Sequence, residues 1–279
     1  MKRIVLIDGH NLLFRMFYGI PTSIKNTKGK EIRGLIGFIG SLKKLVDKFN
    51  PDSLVVIFDS ETSRNNNLKI DKDYKSNRLD YTDIEEEENP FSQLSLIKKA
   101  LDYLNITYIE VENDEADDYI ASIVSNILSN KNQYIIVSTD FDFIQLISSN
   151  IFLYVPRGKN SILYDEKEVI KKYNIRSNQY ILLKSLVGDK SDNIKGVSGI
   201  GNITASKILK YETLYDFILD NPNSRYSKLL LDNKETIEKN KKLITMNRNL
   251  DVSKIIFQEL SNKLMNDKTY EIIENIGER

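Results

Sequence analysis

The sequence has no cysteine and a single histidine, His10. Without cysteine the chain has no disulfides, no zinc–thiolate site and no thiol nucleophile. A single imidazole excludes clusters of histidine metal ligands, and a Ser-His-Asp triad would have to be built around His10. Carboxylates, in contrast, are abundant, because Asp and Glu number 40.

Long apolar runs and a net charge are also missing. No stretch approaches the roughly 18–20 apolar residues that span a bilayer. The N-terminal residues MKRIVLIDGHN lack the longer apolar region and cleavage site of a signal peptide. We therefore expect a cytoplasmic protein without membrane association. The 40 Lys and Arg balance the acids to a formal net charge of zero, which argues against a simple polybasic nucleic-acid coat but allows opposite charges on separate faces.

The first half of the chain alternates short apolar runs with helical patterns. Five apolar runs are typical of strands: residues 4–7, 54–58, 106–111, 134–138 and 151–155. Residues 34–49 and 120–128 carry apolar side chains at helical spacing. This alternation predicts an α/β fold with a mostly parallel sheet flanked by helices.

Two other regions break that pattern. Residues 60–90 are charged and have few apolar side chains, which favours a solvated insertion by composition alone, although loops of this length are often functional. Beyond about residue 173 the strand signals fade and helical segments take over. We therefore predict an α/β domain at residues 1–173 and a helical one at 174–279.

Carboxylates follow the predicted strands. Four of them stand at or just past strand ends, where open α/β sheets bind ligands: Asp8, Asp59, Asp140 and Asp142. Three more open the helix after the third strand, where acids also serve simply to favour a helix N-terminus: Glu115, Asp117 and Asp118. Carboxylates that converge repel one another unless a cation neutralises them, and oxygen ligands select Mg²⁺ or Mn²⁺.

A second acidic segment, GDKSDNIKGVSGIG at residues 188–201, adds Asp189 and Asp192. It continues into a glycine run and a helix start: Gly196, Gly199, Gly201 and Thr204. Glycines let backbone amides approach a phosphate, and a helix N-terminus favours an anion. Such a run is weak evidence by itself, and it gains weight from standing directly after two carboxylates.

Six segments together resemble one family. LIDGHNLLFR, VVIFDS, YKSNR, DEADDYIA, STDFDFIQL and LVGDKSDNIKGVSGIG occur in the order found in bacterial 5′-3′ exonucleases and flap endonucleases, which include the N-terminal nuclease domain of DNA polymerase I. The resemblance covers residue 8 to about 210. It implies a PIN-like core, a helical arch at about 60–90, and a helix–three-turn–helix at about 182–210 that grips duplex DNA.

The resemblance also implies roles for single residues. One metal ion and its water shell would be held by Asp8, Asp59, Glu115 and Asp117, with Asp118 between the two sites. The second ion would lie at Asp140, Asp142, Asp189 and Asp192. The basic catalytic residues would be Arg15, Lys75, Arg78 and Lys184. The residues that contact DNA would be Tyr74, Lys195, Gly196, Gly199, Gly201 and Thr204.

The implied function is a structure-selective 5′-3′ exonuclease and 5′-flap endonuclease that acts in primer removal and repair. It would use two Mg²⁺ or Mn²⁺ ions, with K⁺ at the helix–three-turn–helix as a further candidate. Two such ions about 3.5–4 Å apart activate water and stabilise the leaving oxygen of a phosphodiester. The partner would be DNA with a 5′ flap or free 5′ end, RNA-primed strands included. We expect a monomer, and a chain that ends at residue 279 favours a stand-alone nuclease.

Some positions depart from the family pattern, and two alternatives remain open. Thr139 and Phe141 replace a glycine and a basic residue, Lys195 replaces a frequent proline, and Asn202–Ile203 replaces Glu-Lys. One alternative is a nuclease-like DNA-binding protein that has lost activity, although no matched carboxylate is missing. The other is a haloacid-dehalogenase-like phosphatase, suggested by IIVSTDFD, which leaves Asp8 and the glycine run unexplained.

Overall fold

The computed structural model describes residues 1–59, 81, 84–126 and 132–278. Its centre is a six-stranded sheet in the order β3-β2-β1-β4-β5-β6. The strands are β1 (Arg3–Asp8), β2 (Ser53–Asp59), β3 (Thr107–Val111), β4 (Gln133–Val137), β5 (Ile151–Val155) and β6 (Ile162–Tyr164). All neighbours pair in parallel except β5 and β6. The predicted mostly parallel α/β sheet is confirmed.

Helices cover both faces of the sheet. On one face lie α1 (Gly9–Gly19), α2 (Arg33–Phe49) and α3 (Leu94–Tyr103), and on the other lies α4 (Ala116–Asn126). Alternate side chains of β1 enter the two cores: Val5 and Ile7 pack with α1 to α3, whereas Ile4 and Leu6 pack with α4. Because successive strand residues point to opposite faces, a strand between two helical layers is apolar throughout.

The second half of the described chain is mainly helical. Its helices are α5 (Glu166–Tyr173), α6 (Tyr180–Val187), α7 (Asn202–Ile208), α8 (Leu214–Asp220), α9 (Arg225–Asp232), α10 (Lys234–Ile244), α11 (Asn262–Asn266) and α12 (Thr269–Asn275). Two short strands, β7 (Gly188–Asp189) and β8 (Ile194–Lys195), pair in antiparallel fashion between α6 and α7.

The last two helices return to the N-terminal half. Leu264, Ile272 and Ile273 join the core formed with α2 and α3. The ammonium group of Lys43 on α2 donates hydrogen bonds to the carbonyls of Leu264 (2.8 Å) and Asp267 (2.6 Å). The two parts of the chain are therefore interleaved, and the division at residue 173 stays a prediction. Across the described residues, no helix has both the length and the apolar character needed to cross a membrane.

Most of the predicted arch, including Tyr74, Lys75 and Arg78, lies outside the described residues. The acidic run at its C-terminal end, residues 85–88, is described. There Glu87 pairs with Lys25 at 2.6 Å and Glu86 lies 3.7 Å from Lys30. Such exposed pairs contribute little stability, but they give this acidic run basic neighbours in the residues that precede α2.

Candidate active site

Asp8 ends β1 at the carboxyl edge of the sheet and also caps the next helix. Its carboxylate accepts hydrogen bonds from the backbone N–H of Asn11 (3.2 Å) and the hydroxyl of Ser138 (2.9 Å). Burial raises the pKa of Asp8 to about 7, and repulsion from Asp59 and Asp140 raises it further, whereas these two hydrogen bonds act to lower it. Three strand ends therefore bring carboxylates close enough to oppose one another's ionisation.

Asp59, at the end of β2, links that strand to the start of α4. Its carboxylate accepts a hydrogen bond from the backbone N–H of Ala116 at 2.8 Å, and Nδ1 of His10 lies 3.2 Å from its other oxygen. The first contact holds the acidic first turn of α4, with Asp117 and Asp118, next to β2. The tether thus explains how helix and strand acids come to share one edge.

Asp142, Lys184 and Asp189 form a second charged group. The Lys184 ammonium is ion-paired with Asp189 and lies 3.9 Å from Asp142. Burial and the neighbouring Asp140 raise the pKa of Asp142 to about 8, although Lys184 counteracts the shift. Burial also opposes ionisation of Asp189, but hydrogen bonds from Lys184 and Ser191 outweigh it and hold the pKa of Asp189 below its ordinary value.

The aspartates of these two groups fit a hard divalent cation, because their side chains offer carboxylate oxygens. A cation would favour the ionised forms of Asp8 and Asp142, which burial and neighbouring negative charge oppose. Among the described residues, no three carboxylate or imidazole groups are close enough to hold one ion. Several of these oxygens bind protein groups instead: Asp118 accepts from the backbone N–H of Asn247 at 2.7 Å, and Asp189 binds Lys184.

Arg15 on α1 is a predicted catalytic residue with an unusual environment. Its Nε is buried and has no hydrogen-bond partner in the described part of the chain. Burial lowers the pKa of Arg15, and the nearby positive charge of Arg157 lowers it further. A second cation thus lies near Arg15, one that sequence reasoning did not identify.

The glycine run separates into structural and accessible positions. A Cβ on Gly196 would lie 2.2 Å from the carbonyl carbon of Val187, so this glycine is required where the backbone approaches closely at the open end of the β7–β8 pair. Gly199 has a positive φ of 88°. Gly201 has extended backbone and open space around it. Lys195 is exposed and Thr204 half-buried.

Sequence reasoning missed several side-chain contacts that shape the site. Ser138 had a detectable signal, since it directly follows β4. Thr139, one of the departures, donates from both its N–H and its hydroxyl to the side-chain oxygen of Asn11, at 2.9 and 3.0 Å. Phe141, the other departure there, carries the Lys172 ammonium 3.6 Å from its ring centroid. Nothing in the spacing of residues 141 and 172 indicates that contact.

Comparison with known proteins identifies the family. Residues 3–174 match the family described as 5′-3′ exonuclease, N-terminal resolvase-like domain. The chain belongs to the 5′-3′ exonuclease family. Residues 175–267 match that family's C-terminal SAM fold, so the 5′-3′ exonuclease match extends across nearly the whole chain.

Individual relatives support this assignment. A 5′-3′ exonuclease of Aquifex aeolicus is 31% identical over 253 residues, which cover 90% of this chain and 84% of that protein. DNA polymerase I of Borreliella burgdorferi is also 31% identical, over 91% of this chain but only 28% of the polymerase. The chain therefore spans less than a third of that relative.

Solved structures share the fold of this 5′-3′ exonuclease. The T5 D15 protein, co-crystallized with metal ions, has a TM-score of 0.70 at 22% identity and covers 99% of both chains. The catalytic core of Rad2 in complex with DNA substrate has a TM-score of 0.58 at 15% identity, over 99% of this chain and 91% of that one.

Proposed function

We propose that this 5′-3′ exonuclease family member hydrolyses DNA phosphodiesters at a free 5′ end or a 5′ flap, selecting its substrate by structure. The observation that carries the proposal is the meeting of strand-end carboxylates with cations at one edge of the sheet. Asp8 and Asp59 lie on adjacent parallel strands, Asp140 is near enough to raise the pKa of Asp8, and Lys184 pairs within the neighbouring acidic group.

Two groups of carboxylates would hold two divalent ions, Mg²⁺ or Mn²⁺. The first group is Asp8, Asp59, Glu115, Asp117 and Asp118, and the second is Asp140, Asp142, Asp189 and Asp192. When bound, such ions activate water and stabilise the leaving oxygen of a phosphodiester. This assignment extends the sequence prediction, supported by the electrostatic coupling of Asp8 with Asp59 and of Asp142 with Asp189.

The cations would orient and stabilise the scissile phosphate. Lys184 is held by Asp189 before substrate arrives, and the buried Nε of Arg15, which has no hydrogen-bond partner in the described structure, is a donor that a phosphate oxygen would satisfy. Preorganised donors of this kind act without reorganisation during the reaction. Lys75 and Arg78, with Tyr74 stacking on a base, complete this proposed group.

The segment between α6 and α7 would grip duplex DNA. The backbone amides of Gly199 and Gly201 are exposed candidates for phosphate contacts, with Lys195 beside them and Gly196 and Thr204 shaping the turn. K⁺ at this segment remains part of the proposal. The same holds for a monomer, RNA-primed substrates, action in replication and repair, and a cytoplasmic location.

One experiment separates this function from its alternatives. Purified protein is incubated with Mg²⁺ and either a 5′-flapped duplex, a blunt duplex, a single strand or a small phosphomonoester. We expect cleavage of the flapped duplex near the junction and no release of phosphate from the monoester. Binding to the flapped duplex without cleavage would favour a nuclease-like DNA-binding protein. Turnover of the monoester through a phosphoaspartate would favour the phosphatase.

A further inference from the structure

A cluster of cations and aromatic rings lies beside the candidate active site. We name Phe141, Arg157, Tyr164 and Lys172 the β6 platform, because Tyr164 ends β6. The Lys172 ammonium lies 3.6 Å from the Phe141 ring centroid and donates a hydrogen bond to the Tyr164 hydroxyl at 3.1 Å. The Arg157 guanidinium lies 5.6 Å from the same Phe141 centroid. Rings and hydroxyl thus hold Lys172 in place.

Among the residues that the structure describes, the two cations of the platform are not paired with a carboxylate. In the described chain, neither Arg157 nor Lys172 has an acidic oxygen within 4.0 Å, whereas the adjacent Lys171 is 3.3 Å from Glu168. Burial lowers the pKa of Lys172 to about 8, and repulsion from Arg157 contributes. An anion placed between Arg157 and Lys172 would offset their repulsion and favour the charged form of Lys172. The platform is therefore a positively charged surface suited to an anionic ligand.

The platform adjoins the candidate catalytic residues. Phe141 stands between Asp140 and Asp142 in the chain, and the positive charge of Arg157 contributes to lowering the pKa of Arg15. A recess of about 210 Å³ opens beside Arg157 and Tyr164. Where the family pattern has a basic residue at position 141, this chain has an aromatic ring with a lysine from α5 seated on it. Positive charge is therefore supplied from another element.

We propose that the β6 platform binds a backbone phosphate of the DNA strand, through Arg157 and Lys172, and so extends the active site along the β5–β6 edge. This rests on the proposed function for the identity of the anion. A phosphate carries no base information, so the platform would add affinity and register to the substrate without sequence preference. The phosphate belongs either to the flap or to the duplex, and both offer the same chemistry.

The test is the salt dependence of DNA binding in EDTA. Lys172→Gln and Arg157→Gln are compared with Lys171→Gln, a neighbouring exposed lysine that is already paired with Glu168. Kd is measured by anisotropy for a 5′-flapped duplex and for the same duplex without a flap. Each platform variant should lower the slope of log K against log salt by about 0.7–0.9, so that its deficit shrinks about threefold between about 50 and about 200 mM salt.

A smaller slope with the flapped duplex alone assigns the phosphate to the single strand, and a smaller slope with both substrates assigns it to the duplex. Slopes equal to that of Lys171→Gln on both substrates would overturn the platform. Binding in EDTA is measured without cleavage. Normal cleavage by the wild type with no slope change in the platform variants would therefore contradict only the phosphate contact. A slope change in a protein that does not cleave DNA would contradict only the proposed nuclease activity.

Discussion

At the scale of single residues, two buried acids have pKa values near neutrality for related reasons. Burial is the main cause for both Asp8 and Asp142, and nearby carboxylates add to it. Ser138 and Lys184 act in the opposite direction. The surroundings of Asp8 and Asp142 therefore disfavour their negatively charged forms, and a bound cation would favour those forms.

The first prediction concerns Asp189, whose carboxylate holds Lys184. Asp189→Asn should lower single-turnover cleavage of a flapped duplex in Mg²⁺ on the order of 100-fold, because both a proposed metal ligand and the partner of Lys184 are lost. DNA affinity should remain, since removing a negative charge does not weaken contact with phosphate. The control is Asp232→Asn on the exposed end of α9. Full activity of Asp189→Asn would contradict the ligand assignment.

The second prediction concerns pH. Lysine is charged below its pKa, so Lys172, with a pKa of about 8, loses charge as pH rises past that value. DNA affinity of the wild type should therefore fall more between about pH 7 and about pH 9 than that of Lys172→Arg, whose guanidinium stays charged. The facing groups do not titrate there: Arg157 is an arginine, and the pKa values of Tyr164 and Tyr173 are raised.

Anisotropy at each pH measures this effect. The carboxylates near the site titrate alike in both proteins, so the comparison removes their contribution. Lys171→Arg serves as the control and should follow the wild type. Parallel curves for wild type and Lys172→Arg would show that the Lys172 charge does not contribute to binding.

At the scale of elements, the closest backbone approach lies between β7 and β8. Gly188 has a positive φ of 86°, and a Cβ there would lie 2.4 Å from the backbone nitrogen of Gly196. The antiparallel pairing of β7 with β8 places Asp189 opposite Ile194, at the base of the turn. Neighbouring Asn240 supports it by donating to the carbonyls of Ser185 (3.0 Å) and Lys195 (2.8 Å).

The third prediction is that Gly196→Ala lowers the free energy of unfolding by about 1–3 kcal/mol. Its Cβ would meet backbone atoms of Val187, which cannot turn aside as a side chain can. Gly40→Ala, in α2 with nothing within 4 Å of the added carbon, is the matched control and should be neutral or slightly stabilising. Urea denaturation measures both, and equal stability of the two variants would contradict the close backbone approach of Gly196 to Val187.

The fourth prediction concerns Gly201 and separates an effect on DNA binding from an effect on folding. Gly201 has extended backbone and open surroundings, so Gly201→Val should fold normally. Its side chain would obstruct a duplex phosphate at the adjacent amides, and duplex affinity should fall to a similar extent on unrelated sequences. Anisotropy on two duplexes and a thermal unfolding curve test this. A loss confined to one sequence would point to base contacts instead.

Local patterns predicted most elements because each apolar period is local. The helix expected at residues 34–49 is α2 (Arg33–Phe49), and the strand expected at 106–111 is β3 (Thr107–Val111). The short strand β6 was not predicted, because three residues with two exposed side chains show no hydrophobic periodicity. The β6 platform was not predicted for another reason: Phe141 and Lys172 are brought together only by the path of the chain through β5 and β6.

At the scale of the whole molecule, the helical part closes onto the acidic edge of the sheet. After α10, the N–H of Asn247 binds Asp118, and the Arg248 guanidinium donates to the carbonyl of Gln145 at 3.0 Å. Gln145 in turn bonds the carbonyl of Ile244 at 3.0 Å and the N–H of Met246 at 3.1 Å. The strand-end acids of one part and Asp189 of the other are thus held in one assembly, as a site shared between them requires.

The most direct test of the account is hydrolysis of a 5′-flapped DNA duplex by the wild-type protein, followed in Mg²⁺, then in excess EDTA, then after Mg²⁺ is restored. The account predicts cleavage that stops with the chelator and resumes with the metal, because the converging carboxylates need cations to act on a phosphodiester. Cleavage that continues unchanged in EDTA would contradict the central claim.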